Sequence, residues 1–155
     1  MRKLSLLFLA MFIFVGYISP YDKQYINTKY HIGFIYPSSF TQNTKYINRF
    51  EGKDGFFQFD ALKGGGTIEK VASYEAFNDL KPYGESPEIE KSILDGQEAI
   101  LIIPSKDQNL EMKGQAAFIV KYPKAITINN ESYNYLILWA DKNHIRKIVD
   151  SLHFI

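Results

Sequence analysis

The chain has 155 residues, a net charge of +1 and no cysteine. That length supports one domain with its own core, and the near-zero charge argues against a nucleic-acid binder, which needs a concentrated basic surface. The missing cysteines exclude disulfides, thiolate catalysis, Cys-ligated zinc and lipid attachment through an N-terminal Cys.

Met1-Arg2-Lys3 is a short basic segment, and residues 4–18 are apolar, with Phe8, Met11, Phe12, Ile13, Phe14 and Val15 among them. Together they read as a secretory leader with its positive end on the cytoplasmic side. Gly16 and Ser19 have the spacing of a cleavage site, but Pro20 follows the cut and disfavours it. Residues 4–21 span about 27 Å as a helix, against about 30 Å of hydrocarbon. Residues 1–20 are therefore expected to be a signal peptide or membrane anchor, 21–29 a polar tether, and 30–155 the folded domain.

Within that domain, Tyr30-His-Ile-Gly-Phe-Ile-Tyr-Pro37 reads as a strand ended by proline. Residues 38–43 read as a loop. Residues 46–51 and 56–63 form a hairpin around Gly52-Lys53-Asp54-Gly55, with Phe57, Phe59 and Ala61 facing one way and Gln58 and Asp60 the other. Gly64-Gly65-Gly66 links it to a helix; no Lys-Ser/Thr pair follows, so it is no phosphate cradle. Thr67 is positioned to cap a helix from Ile68 to about Leu80, with Ile68, Ala72, Ala76 and Leu80 on one stripe and Tyr74 and Phe77 on a second, partly buried side. Lys81-Pro82 stops it. Residues 87–95 make a polar strand, Asp95-Gly96 a turn, 97–103 an apolar strand, and 105–114 a polar loop.

Residues 115–122 and 133–140 are strand-length runs that are apolar on both alternating faces, joined by a turn rich in Lys, Thr and Asn. A strand dry on both sides belongs in the middle of a covered sheet. Asp141 then caps a last helix with Ile145, Ile148, Val149 and Leu152 on its apolar stripe. The expected fold is α+β: an antiparallel sheet of about six to seven strands with a helix packed on each face.

The opening Tyr30-His-Ile-Gly-Phe-Ile-Tyr-Pro37 strand, the strand pair, helix, antiparallel strands and final helix ending Ser151-Leu-His-Phe154 resemble the PsbP-like fold. It is an α/β/α sandwich found in many small exported bacterial proteins of unassigned function. The resemblance covers 30–155, with Phe40 nearest the position of the Trp common after the opening Tyr-Pro. It implies no catalytic residues, since the plant members assist a photosystem and are not enzymes. Some exported domains of this kind look similar to the extracellular companions of antibiotic-sensing metallopeptidases, but the His-Glu-x-x-His motif of such peptidases is absent here, so the likeness implies no peptidase activity.

The residues themselves supply no catalytic constellation. His144 and His153 are nine apart on the expected helix and cannot chelate one ion together, although His31 could reach one of them. There is no Gly-x-Ser-x-Gly or Ser-x-x-Lys, and the carboxylates are scattered. Asn130-Glu131-Ser132 reads as a turn. Tyr133, Tyr135, Ile137 and Trp139 share one strand face, as a binding platform or as the seat of a helix, and the central position favours the seat. The expectation is a non-enzymatic extracytoplasmic binding or protein-interaction domain, secreted or tethered, without catalytic or metal residues, cofactor or nucleic-acid partner. Its ligand or partner is left open. The alternatives are a small hydrolase, signalled by a pocket placing Ser or Asp against His31 or His144, and a regulatory partner of a membrane protein.

Overall fold

The computed structural model describes residues 21–155, so the expected leader at 1–20 lies outside the described residues. The chain runs β1 (Asp22–Asn27), β2 (Ile32–Pro37), β3 (Thr41–Gln42), β4 (Arg49–Gly52), β5 (Gly55–Leu62), α1 (Ile68–Ala76), β6 (Glu88–Leu94) and β7 (Gln97–Ile103). A 3-10 turn at Leu110–Met112 leads to β8 (Gln115–Ile128), β9 (Glu131–Asp141), α2 (Ile145–Ser151) and β10 (His153–Phe154). A seven-stranded antiparallel sheet has the order β3-β4-β5-β9-β8-β7-β6, and a three-stranded one the order β1-β2-β10. Mixed α+β architecture with one helix on each face of the large sheet is thus the observed fold.

The two-sided apolarity of β8 and β9 explains their place. Leu136, Ile137 and Leu138 are wholly buried although they alternate between faces. On one face Ile100, Ile102, Ala117, Ile119 and Ile137 lie beneath α1. On the other, Phe118, Val120, Leu136 and Leu138 lie beneath α2 and the small sheet. An aromatic cluster joins the two sheets. The Phe57 ring sits 4.8 Å from Phe50, 5.2 Å from Phe34 and 5.2 Å from Tyr36.

Several expectations are corrected. Residues 22–27, expected within the tether, are β1, paired along its whole length with β2. Tyr25 explains the difference: it lies opposite Phe34 and packs its ring 5.1 Å away, so one aromatic anchor makes a polar segment a strand. The single expected sheet is joined by a second, smaller one. Residues 124–128, expected as turn, continue β8 beyond a register shift between Lys121 and Ile126, where Pro123 interrupts the ladder. The true turn is Asn129-Asn130, with φ of 51° and 65°.

Helix α1 ends at Ala76, before the expected Leu80. The Asn78 side chain donates to the Glu75 carbonyl at 2.9 Å and accepts from the Leu80 N–H at 3.0 Å, competing with helical bonds. Thr67 is the N-cap residue, without the expected side-chain cap bond. Asp141 is not the cap of α2; His144 holds that position, and His153 leaves the helix for β10.

One buried group is unmatched. Tyr122 is buried beside Phe154, and its hydroxyl has no hydrogen-bond partner among the described residues. Burial holds its phenol well above the usual range. Tyr122→Phe removes only that orphaned hydroxyl, so it is expected to raise unfolding stability by about 1 kcal/mol. The check is a higher urea midpoint at unchanged slope.

Candidate functional site

Helix α1 rests on the sheet by Ile68, Ala72 and Ala76, all buried. Two alanines on this stripe bring the helix close to β7 and β8. The large side chains point the other way: Tyr74 is 77% exposed, and just past the helix Phe77 and Leu80 are 58% and 81% exposed. The expected second buried side of this helix is therefore a solvent-facing apolar one.

Polar contacts lock the helix to β9. One Glu75 carboxylate oxygen, Oε1, accepts from Trp139 Nε1 at 2.8 Å and from the Tyr83 hydroxyl at 2.5 Å. Burial above all, with the Glu75 charge beside it, pushes the Tyr83 phenol far above its ordinary range. At the other end, Tyr135 donates its hydroxyl to the Gly66 carbonyl and Asn134 its amide to the Gly64 carbonyl, both at 2.7 Å. The glycine linker is thus tied down by β9, which occupies the Gly64 and Gly66 carbonyls. A groove of about 470 Å³ runs between linker and helix, lined by Leu62, Lys63, Lys70, Val71, Tyr74 and Glu75.

The expected aromatic row is split. Tyr135 and Ile137 are core residues beneath α1, Trp139 is half-buried beside them, and Tyr133 packs against the opposite core cluster. Seat of a helix is what Tyr135, Ile137 and Trp139 provide.

A second polar site lies where β5, β9 and α2 meet. Asp141 is 4% exposed. It accepts from the Phe56 N–H at 3.3 Å and the Asn143 N–H at 3.1 Å, and both its oxygens lie within 2.9 Å of His144 Nδ1. A Cβ on Gly55 would stand 2.0 Å from Asp141 Oδ2, so glycine is required there for close approach. An adjoining cleft of about 480 Å³ is lined by Arg49, Lys53 and Lys113 together with Glu51, Asp54 and Asp141, positive matched by negative. Arg49 bonds Glu51 Oε2 at 2.9 Å and, with Asn43, holds the Glu51 carboxyl below its usual range.

His144 also borders a cleft of about 490 Å³ that includes Ser38, Ser39 and Asp54. A pocket that sets Ser or Asp against His144 is the expected sign of a hydrolase. Its ring stands 5.2 Å from Phe40, and no hydrogen bond joins it to either serine among the described residues. His153 Nδ1 lies 3.0 Å from the Ser151 carbonyl, with its ring against Gly33. His31 occupies the left-handed turn between β1 and β2. Among the described residues no group of three or more His, Asp or Glu side chains is arranged to hold a metal ion.

No family model matches the chain, and no curated protein matches it in sequence. Among solved structures it is similar to cyanobacterial PsbP from Synechocystis sp. PCC 6803, with 14% identity, 90% of this chain and 96% of that chain covered, and a TM-score of 0.49. That structure is of the fold family named by the sequence resemblance.

Proposed function

We propose that this chain is a non-enzymatic, extracytoplasmic interaction domain that takes a protein partner on the outward side of α1. The observation that carries the reading is the inverted dressing of that helix. Ile68 and the two alanines face the core, while Tyr74 on the helix and Phe77 and Leu80 just past its end face solvent. Burying the large residues would be the favourable choice for an isolated domain, and exposed apolar groups of this kind mark contact surfaces. The adjacent groove, which Tyr74 helps to line, gives such a surface relief. The extracytoplasmic setting rests on the basic and apolar segment at residues 1–18.

A photo-crosslinking side chain placed at Tyr74 of the full chain in intact cells tests this, with Lys29 on the β1–β2 turn as the control position. The expected result is a discrete adduct from position 74 alone, lost when Phe77→Ser and Leu80→Ser are added. Identical patterns from positions 74 and 29 would overturn it.

The clustering of Ser38, Ser39 and His144, with Asp141 behind the imidazole, favours one second reading, a small hydrolase. It requires the full chain to cleave an activated ester and His144→Ala to abolish that cleavage while the protein stays folded.

A further inference from the structure

We propose that the β6 edge of the large sheet pairs with β6 of a second copy of this chain, antiparallel and centred on Lys91. Among the described residues β6 pairs with β7 alone, in unbroken register from Glu88↔Ile103 to Leu94↔Gln97. The hairpin closes through Asp95 and Gly96 with φ of 47° and 75°, a two-residue turn of the type that makes Leu94 and Gln97 a hydrogen-bonded pair. Alternation then directs the backbone groups of Glu88, Glu90, Ser92 and Leu94 towards β7. Those of Ile89, Lys91 and Ile93 point outward.

Two such edges can meet with outward groups matched to outward groups in only a few registers. The one centred on Lys91 overlaps most. It sets Ile89 against Ile93 of the copy twice, Glu90 against Ser92 twice, and Lys91 against itself. Ile89 and Ile93 are 39% and 67% exposed, and both stand on the α1 side of the sheet. Cross-strand apolar pairs of this kind favour pairing.

The single like-charge encounter is Lys91 with Lys91. Each Lys91 carries its own counter-charge, since its ammonium bonds Glu69 Oε1 at 2.8 Å and holds that carboxyl down at about 2. On the opposite side Glu90 is turned away towards Arg146 of α2. A lysine in the middle of an edge strand normally guards it. Here the guard is neutralised by α1, and the two isoleucines beside it stay open.

Single-cysteine variants of the full chain test the register, because the native sequence has no cysteine. Ile89→Cys and Ile93→Cys are co-expressed with different tags and oxidised in the membrane and soluble fractions by copper(II) phenanthroline, two copper(II) complexes taking up the two electrons of each disulfide and solvent its two protons. The mixed 89–93 dimer is expected to exceed either self-dimer by about tenfold, since only the mixed pair falls within disulfide reach. Lys91→Cys is expected to cross-link to itself, and Lys29→Cys not. The 89–93 pair retains the Lys91–Glu69 bond, so it reads the register even if Lys91→Cys perturbs the edge. Cross-linking at 89, 91 and 93 no greater than at 29, or self-dimers as abundant as mixed ones, would overturn the proposal.

Discussion

Phe57→Ala is expected to cost about 4 kcal/mol of unfolding stability, the range found for large aromatic residues removed from a core. The ring is wholly buried and stacks on Phe50 at an interplanar angle of 10°. It meets Phe34 and Tyr36 edge-on from the other sheet. Rings from both sheets surround the vacated space, and closing it would require the sheets themselves to approach. Phe57→Leu retains most of the volume and is expected to lose far less, though the stacked and edge-on ring contacts go with the ring. Chemical denaturation of the two variants gives the comparison, and equal losses would show that volume is not what matters at this position.

Asp141→Ala is expected to cost about 3 kcal/mol, in line with leaving a buried polar group unsatisfied, and to lower Tm by about 10 °C. It orphans the Phe56 N–H at the start of β5 and releases the His144 ring at the start of α2. One carboxylate thereby holds two segments that are distant in sequence. Gly55→Ala acts on the same contact from the other side, because the new methyl would overlap Asp141 Oδ2. The two changes should therefore fail to add. In the Asp141→Ala background the obstructing oxygen is gone, and the second substitution should cost at least about 1 kcal/mol less than it does alone. Additive losses in that cycle would place the strain at Gly55 elsewhere.

Hydropathy made the centre of the molecule legible and its coverings less so. Residues 115–122 and 133–140 are apolar on both faces, which a strand tolerates only inside a covered sheet, and β8 and β9 are found there. Asp95-Gly96 and Gly52 to Gly55 marked their hairpins because positive φ or a missing side chain is needed at those turns. β1 escaped notice because four of its six residues are polar or charged, and its place depends on Tyr25 reaching a distant aromatic cluster. Apolar spacing predicts α1 as far as Leu80, while the competing bonds of Asn78 end the helix earlier.

The candidate surfaces follow the same division. The stripe of Ile68, Ala72 and Ala76 was visible as periodicity. That Tyr74 and Phe77 face solvent depends on where a nine-residue helix ends and on what covers its far side. At Asp141 the sequence suggests only a helix cap, the local role of an Asp before a helix. Its partner Phe56 lies 85 residues away, beyond the reach of any local pattern.

The strand β2 is flanked by β1 on one side and β10 on the other, so it is gripped by both ends of the described chain. The Ile35 N–H also donates to Ser151 Oγ, across 116 residues. The β1–β2 hairpin can close early, but it gains its second neighbour only when the last residues arrive. Phe34 can be covered by Tyr25, Phe57 and Phe59 before then, but the β10 edge of β2 stays open until residues 153–154 arrive. Long-range closure of this kind slows folding.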